Sequence, residues 1–240
     1  MKLKSLILLC VLAFANFIVA QESEGSLNVD LQMTPKYVWR GMTFTDGLVY
    51  QPSIAITQKQ LTIQLWGNFV LHDKNDIPGN ELDVYVTYNY DYSGFTFTPS
   101  LFLYTYPGQD VNTTTEFSLG ISHEIDDFTL STSLSKDLVE ARGAFFGSLD
   151  LKYSKNIAEG LSLDLTTGAG YGNEPFNEYY VGVAKNALNY YMIGGTLKYS
   201  LNQNISVRTY FENFWILDNE IKETLGSDTF NFGVAVGVEL

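Results

Sequence analysis

From Ser26 to Leu240, apolar and polar residues alternate with a period of two, the pattern of strands with one apolar face. The first segment, LNVDLQMT, sets Leu27, Val29, Leu31 and Met33 against Asn28, Asp30, Gln32 and Thr34. The last, FNFGVAVGVEL, sets Phe230, Phe232, Val234, Val236, Val238 and Leu240 against Asn231, Gly233, Ala235, Gly237 and Glu239. Similar runs begin near Tyr50, Leu61, Glu81, Phe95, Thr113, Phe128, Ala144, Leu161, Asn189 and Ile205, and no segment sustains a 3.6-residue period. The pattern predicts about twelve strands of roughly 8 to 13 residues, the length of a tilted membrane-crossing strand.

The links between these runs alternate in length. Short ones fall at Gln58–Gln60, Ser93-Gly94, Asp126-Asp127, Asn156–Gly160 and Leu201–Asn204. Longer polar ones fall at Pro35–Val49, His72–Asn80, Pro107–Asn112, Asp137–Arg142, Asn173–Ala187 and Leu217–Asp228. An up-and-down antiparallel barrel with tight turns at one end and long loops at the other produces this rhythm. With twelve strands both termini fall at the short-turn end, which would be periplasmic. The loop LDNEIKETLGSD (217–228) is expected to be partly helical.

Alternation alone leaves open which face is inside. A soluble barrel buries its apolar column, whereas an outer-membrane barrel turns it toward lipid. The apolar column carries aromatic residues near both ends: Tyr90, Tyr92, Phe95, Phe128, Tyr153 and Tyr199 beside short turns, and Tyr171, Tyr191, Trp215 and Phe230 toward long loops. Two such belts match membrane interfaces. The polar column combines ionisable residues with small ones such as Gly168, Gly170, Gly194, Gly233, Ala235 and Gly237, as a crowded lumen requires. The expected architecture is therefore all-β: a transmembrane up-and-down antiparallel barrel.

Composition narrows the setting. Aromatic residues make up 15% of the chain and charged residues only 17%. Residues 1–20 read as a cleaved export signal: Lys2 and Lys4 precede the apolar run LILLCVLAFANFIVA, and Ala20 precedes QESEGS. Residues 21–240 are then one barrel domain, with Cys10 lost and no other cysteine left. Losing Lys2 and Lys4 takes the formal net charge from -13 to -15. So acidic a chain is a poor partner for nucleic acid.

Catalytic chemistry finds little to work with. His123 lies on the apolar column between Ile121 and Ile125, an interfacial position; a lipid-cleaving barrel needs a serine where Ile125 stands. His72 lies beside Asp73 and Asp76 in a polar loop, where a solvated loop is more common than a metal site. The chain is expected not to be an enzyme and to need no cofactor and no metal.

The inward column is more informative. By parity Asp30, Glu81, Asp83, Asp91, Glu116, Glu124, Asp150, Asp164, Glu212 and Glu239 point inward, against Lys152, Lys198 and Arg208. Asp83, Glu116, Asp150, Asp164, Lys198, Arg208 and Glu212 are the candidate pore-lining residues. Carboxylates crowded in a narrow aqueous lumen concentrate cations and repel anions. The expected function is passive diffusion of small polar, cationic solutes through a porin-like channel. The alternative is a closed structural or adhesive barrel whose outer loops bind a partner. In it the carboxylates pair with the bases, and the inward Trp66, Tyr85, Phe102, Tyr104, Phe146, Tyr190, Tyr210 and Phe214 fill a twelve-strand interior.

One segment, YVWRGMTFTDG, concentrates bulky side chains where Pro35, Gly41 and Gly47 interrupt a regular strand. If the first strand continues past Pro35, Tyr37 and Trp39 keep the parity of Leu31 and Met33. They would then join the outer aromatic belt, while Arg40 turns inward to an acidic mouth. The longer run YVWRGMTFTDGLVYQPSI resembles the start of the TorF-type porin family of Gram-negative outer-membrane barrels, over about residues 26–56. On that resemblance Tyr37, Arg40, Gly41, Asp46, Gly47 and Gln51 match the family motif, with Trp39 in the same rim. It implies location in the cell outer membrane, lipid as surroundings, small solutes as cargo, and insertion by the barrel-assembly machinery. Leu240 departs from the phenylalanine that often closes such barrels.

Overall fold

A computed structural model describes residues 25–72 and 79–240. The export signal expected over 1–20, with Cys10, lies outside the described residues, as do Asp73 and Asp76.

Among the described residues, twelve antiparallel strands close into a barrel accompanied by two short helices. In chain order they are β1 (Gly25–Thr34), β4 (Val49–Gln58), β5 (Leu61–Val70), β6 (Glu81–Tyr88), β8 (Phe95–Tyr104), β9 (Thr114–Ile125), β10 (Phe128–Asp137), β11 (Phe145–Ala158), β12 (Leu161–Gly172), β13 (Ala187–Ser200), β14 (Ile205–Ile216) and β15 (Thr229–Glu239). A short β7 (Tyr90–Tyr92) continues β6 beyond Asn89 and also pairs with β8. The seam is made by β1 against β15, in register from Asn28 opposite Glu239 to Met33 opposite Val234. Leu27 and Leu240 exchange both backbone hydrogen bonds there, at 2.8 and 2.9 Å. Closure leaves no unpaired strand edge, which a sheet in hydrocarbon requires because lipid offers no partner to N–H and C=O groups.

The short links become tight turns. Lys59, Ser93 and Asp126 each adopt a positive φ, the conformation that lets a two-residue turn follow the twist of its strands. Register assigns the faces. Asp30 opposes Ser53, Ser53 opposes Trp66 and Trp66 opposes Asp83, and the same inner row continues around the barrel to Arg208 and Ala235. Two bulges, near Asn156 and near Gly170, leave the inner row intact on both sides. The second turns both Asn189 and Tyr190 inward, both buried.

The outer row is apolar and uncovered: Leu31, Leu101, Leu134, Leu149, Val207, Phe211 and Val234 are all exposed. Such a continuous apolar surface is a lipid-facing one. Tyr90, Tyr92, Phe95, Phe128 and Tyr199 are exposed beside short turns, and Tyr171, Tyr191, Trp215 and Phe230 toward the long-loop end. Tyr191 stacks on Trp215 at 5.7 Å, and Phe128 lies 5.1 Å from Tyr153 across a strand pair.

The long-loop end holds the rest of the structure. A hairpin of β2 (Tyr37–Trp39) and β3 (Met42–Thr45) lies between β1 and β4. Helix α1 (Glu174–Tyr180) follows β12, and α2 (Asn219–Leu225) follows β14, inside the loop expected to be partly helical. The hydrophobic core gathers here: Met42, Ala144, Phe146, Phe176, Tyr190, Met192, Phe214, Ile216 and Ile221 form one buried cluster.

Candidate channel interior

Arg40 and Gly41 form the tip of the β2–β3 hairpin, at φ 51° and 79°. Two consecutive residues in this region are what a two-residue hairpin turn demands. The first strand therefore does not run on past Pro35. The chain leaves β1 at Thr34, whose hydroxyl is held by Asn231 and the Phe232 carbonyl, each at 2.8 Å, and turns into the lumen.

The hairpin crosses the barrel. Near its base, Tyr37 meets Trp66 of β5 at 5.6 Å and lines one pocket with Glu81 of β6. On its return arm, Thr43 and Thr229 of β15 share a hydrogen bond of 3.1 Å between hydroxyls. At its tip, a Cβ on Gly41 would lie 3.0 Å from the Tyr190 ring of β13. The expectation that Tyr37 and Trp39 face the outer aromatic belt is thus corrected. Both rings point into the barrel, because the polypeptide reverses at Arg40-Gly41 instead of extending the wall. Trp39 packs against Tyr180 at 5.2 Å, Phe176 at 6.1 Å and Tyr104 at 6.2 Å.

Arg40 does turn inward, between a carboxylate and three aromatic rings. Its guanidinium forks onto Glu116 of β9, Nη2 to Oε1 at 2.6 Å and Nη1 to Oε2 at 2.9 Å. It lies 4.2 Å from the Trp39 ring centroid, 4.5 Å from Phe146 and 5.5 Å from Phe176. Side-chain exposure is 12% for Arg40 and 3% for Glu116. A planar cation with five donors suits both demands at once, a bidentate carboxylate and flat aromatic faces. The left-handed backbone of a non-glycine residue costs about 1 kcal/mol, and this ion pair holds it in place.

Beyond the hairpin the lumen is polar. Arg208 is bidentate on Asp30, with Nη2 to Oδ1 at 2.8 Å, and also donates to Gln32 at 3.2 Å. Gln51 ties Gln32 to Asn68 by hydrogen bonds of 2.8 and 2.9 Å. A cavity of about 290 Å³ lies here, lined by Gln32, Lys36, Val38, Gln51, Arg208, Tyr210, Glu212 and Asn231 among others. A second, of about 200 Å³, opens at the short-turn end between Asp30, Lys198, Arg208 and Glu239. The two share Arg208, so they form successive chambers on either side of the Asp30–Arg208 pair.

The remaining candidate residues lie around these chambers. Asp83 is fully buried beneath the hairpin base, accepting from the Tyr85 hydroxyl at 2.8 Å and the Thr105 amide at 3.3 Å. Asp150 accepts from Ser148 at 2.9 Å and faces Gly168, where a Cβ would come within 2.0 Å of its oxygen. Asp164 lies between Ser154 and Thr196 in register, and Lys198 beside Arg208. Glu212 opposes Gly194 and Asn231. Asp46 and Gly47 belong to the link from the hairpin to β4. Among the described residues, Asp30 and Glu116 are ion-paired, whereas Glu81, Asp83, Asp150, Asp164 and Glu212 stand in no ion pair. His123 accompanies the outer row, 2.7 Å from the Gly94 carbonyl and stacked on Phe95 at 4.7 Å. No group of metal-ligating side chains occurs among the described residues.

Sequence reasoning missed two parts of this interior. Helix α1 supplies Phe176 to the aromatic box and Asn177 to a buried amide network with Gly172, Lys185 and Asn189. Its signal is present in Asn173-Glu174-Pro175, an N-cap followed by a proline in the first turn. Asp137, expected to open a loop, is buried and organises it, accepting from the amides of Val139 and Ala141 and the hydroxyl of Thr114. Outside the barrel, α2 is capped by Asp218, whose carboxyl is held below its ordinary range by Lys185. Lys222 does the same to Asp228 in the same loop.

A family model described as "Bacterial protein of unknown function (Gcw_chp)" matches residues 20–194. Among curated proteins, none matches the sequence. Solved structures share the fold. The NanC porin aligns with a TM-score of 0.57 at 11% identity, covering 89% of this chain and 100% of its own. The KdgM porin aligns at 0.54 and 11% identity, covering 89% and 98%, and is also known in complex with disordered oligogalacturonate. An outer-membrane channel from Pseudomonas putida F1 aligns at 0.51 and 10% identity, covering 92% and 97%. The closed twelve-strand barrel, its apolar outer band and its aromatic girdles are those of an outer-membrane protein.

Proposed function

We propose that this chain, which belongs to the Gcw_chp family of bacterial proteins of unknown function, forms a porin-like channel for passive diffusion of small polar solutes, with cations favoured. The observation carrying this reading is the pair of polar chambers in series along the barrel axis, lined by Gln32, Gln51, Glu212, Asn231, Asp30 and Lys198. A structural barrel has no need of hydrated space in its wall-to-wall interior. The water-accessible part of the inner row supports cation preference: with Asp30 set against Arg208, Asp91, Glu124, Asp164 and Glu239 outnumber Lys152 and Lys198 among the described residues. An acidic sugar of the kind recorded with KdgM is therefore disfavoured as cargo here. In this reading residues 1–20 direct export, the barrel-assembly machinery inserts the barrel into outer-membrane lipid, and the short-turn end faces the periplasm.

The β2–β3 hairpin favours the second reading, a closed barrel with binding loops, because it spans the lumen at the long-loop end. Liposome swelling separates the two. Vesicles carrying the folded protein should swell in isosmotic solutions of small cationic and neutral solutes faster than in anionic ones. Swelling no faster than that of protein-free vesicles would leave the closed barrel as the function.

A further inference from the structure

On the long-loop side of the hairpin lies a pocket that the channel reading leaves unused. Tyr37, Trp39 and Phe44 of the hairpin form one wall, and Tyr104, Tyr106 and Tyr180 the other. Among the described residues the single non-aromatic lining residue is Glu81. Its volume is about 60 Å³, room for a few waters at roughly 15 Å³ of probe space each.

Two of the aromatic hydroxyls are already committed. Tyr104 donates to Glu116 at 3.4 Å and Tyr180 to Asp137 at 3.3 Å. What the rings have left to offer a guest is their faces and edges. The surrounding side chains are acidic: Glu81, Asp83, Glu116 and Asp137 are all buried here, with Arg40 set against Glu116. Arg40 itself demonstrates the preference of the region, since it lies over Trp39 and Phe176. Aromatic walls attract cations through the ring quadrupole, most strongly where water is excluded. An anion would meet the Glu81 carboxyl group, and a sugar would find few free hydrogen-bonding groups.

We propose that this pocket is a recognition site for an organic ammonium headgroup, held by the Trp39, Tyr104, Tyr106 and Tyr180 rings and neutralised by Glu81. Assigning such cations as the transported class rests on the channel reading; binding itself does not. Tyr37 and Trp39 line this pocket while Lys36 and Val38 line the chamber on the other face of the hairpin, so the hairpin separates a cation held here from that chamber.

Calorimetric titration of the folded protein in detergent micelles with tetramethylammonium chloride tests this, with sodium chloride and tert-butanol as the small-ion and neutral controls. Saturable heat is expected with tetramethylammonium alone. Glu81→Gln and Tyr106→Leu should each raise the dissociation constant about tenfold, the loss of one cation contact. Tyr106 lies outside the hairpin and the barrel strands, so its variant decides the matter if Glu81→Gln does not fold. Absence of saturable heat with folded protein overturns the proposal. So does equal binding of tert-butanol, which would make the pocket merely apolar, or binding that neither variant weakens. Binding by a barrel that passes no current supports the pocket and refutes the channel reading; current without binding does the reverse.

Discussion

Replacing Arg40 with alanine should unlatch the hairpin without unfolding the barrel. The closed ladder of twelve strands does not involve Arg40, so the wall survives. The hairpin, in contrast, loses its fork onto Glu116 and its contacts with three rings. With the hairpin seated, Glu116 would be left 3% exposed and unpaired, whereas an unseated hairpin lets water reach it. Removing one partner of a buried pair costs about 3–5 kcal/mol, and here that penalty falls on the seated state alone. At 1.4 kcal/mol per tenfold, the ratio of unseated to seated hairpin rises by roughly two to three and a half orders of magnitude. Met42 and Trp39 still favour seating, so exchange between two states is expected rather than a permanently open lumen. Two assays report it. Trypsin should cut after Lys36 in the variant and spare the parent, and bilayer recordings should show larger or noisier current steps. Replacing both partners with apolar residues, Arg40→Met with Glu116→Leu, should restore protection because no buried charge is stranded. Unchanged cleavage and current in Arg40→Ala would show that the ion pair does not hold the hairpin.

Two further expectations concern other regions. Asp218 and Asp228 carry carboxyl groups held low by Lys185 and Lys222. A depressed folded value means that the unfolded loop binds more protons on acidification. Their contribution is therefore present above the ordinary aspartate value and lost as the pH falls below about 4. Protection factors in 217–228, taken relative to the intrinsic exchange rate at each pH, should fall below that pH while the strand ladders stay protected; unchanged protection factors across that range would contradict the assignment. Separately, Gly170→Ala places a methyl within 2.5 to 2.7 Å of the Tyr190 and Phe146 rings. Overpacking of this kind costs about 1–3 kcal/mol. Because Phe146 also faces Arg40, thermal unfolding should begin at a lower temperature and trypsin should gain access to Lys36. A variant indistinguishable from the parent in both would mean that those rings have room to move.

The wall of this barrel was legible in the sequence because a strand writes its two environments in alternate positions. Leu31 and Asp30, Leu149 and Asp150, Val207 and Arg208 each fall on opposite faces as parity demands. The interior contents were harder to read for a physical reason. Inside a barrel that buries its own hairpin, aromatic residues occur on both sides of the wall, so Tyr37 and Trp39 carry the same signature whether they meet lipid or Phe176. The deciding information was local: Arg40-Gly41 as a two-residue turn, which reverses the chain and with it the meaning of parity. Asp137 gave no such sign. A buried carboxylate satisfied by its own loop's amides looks, in sequence, like any polar residue after a strand.

Current through a planar bilayer containing the purified, refolded protein, recorded under a salt gradient, decides whether the lumen conducts and for which ions. Discrete steps are expected, with a reversal potential that marks cations as the favoured carriers and a preference reduced by Glu212→Gln and Asp164→Asn together. Anion preference would contradict the charge assignment of the lumen, and silence from protein shown to be folded and inserted would contradict the channel itself.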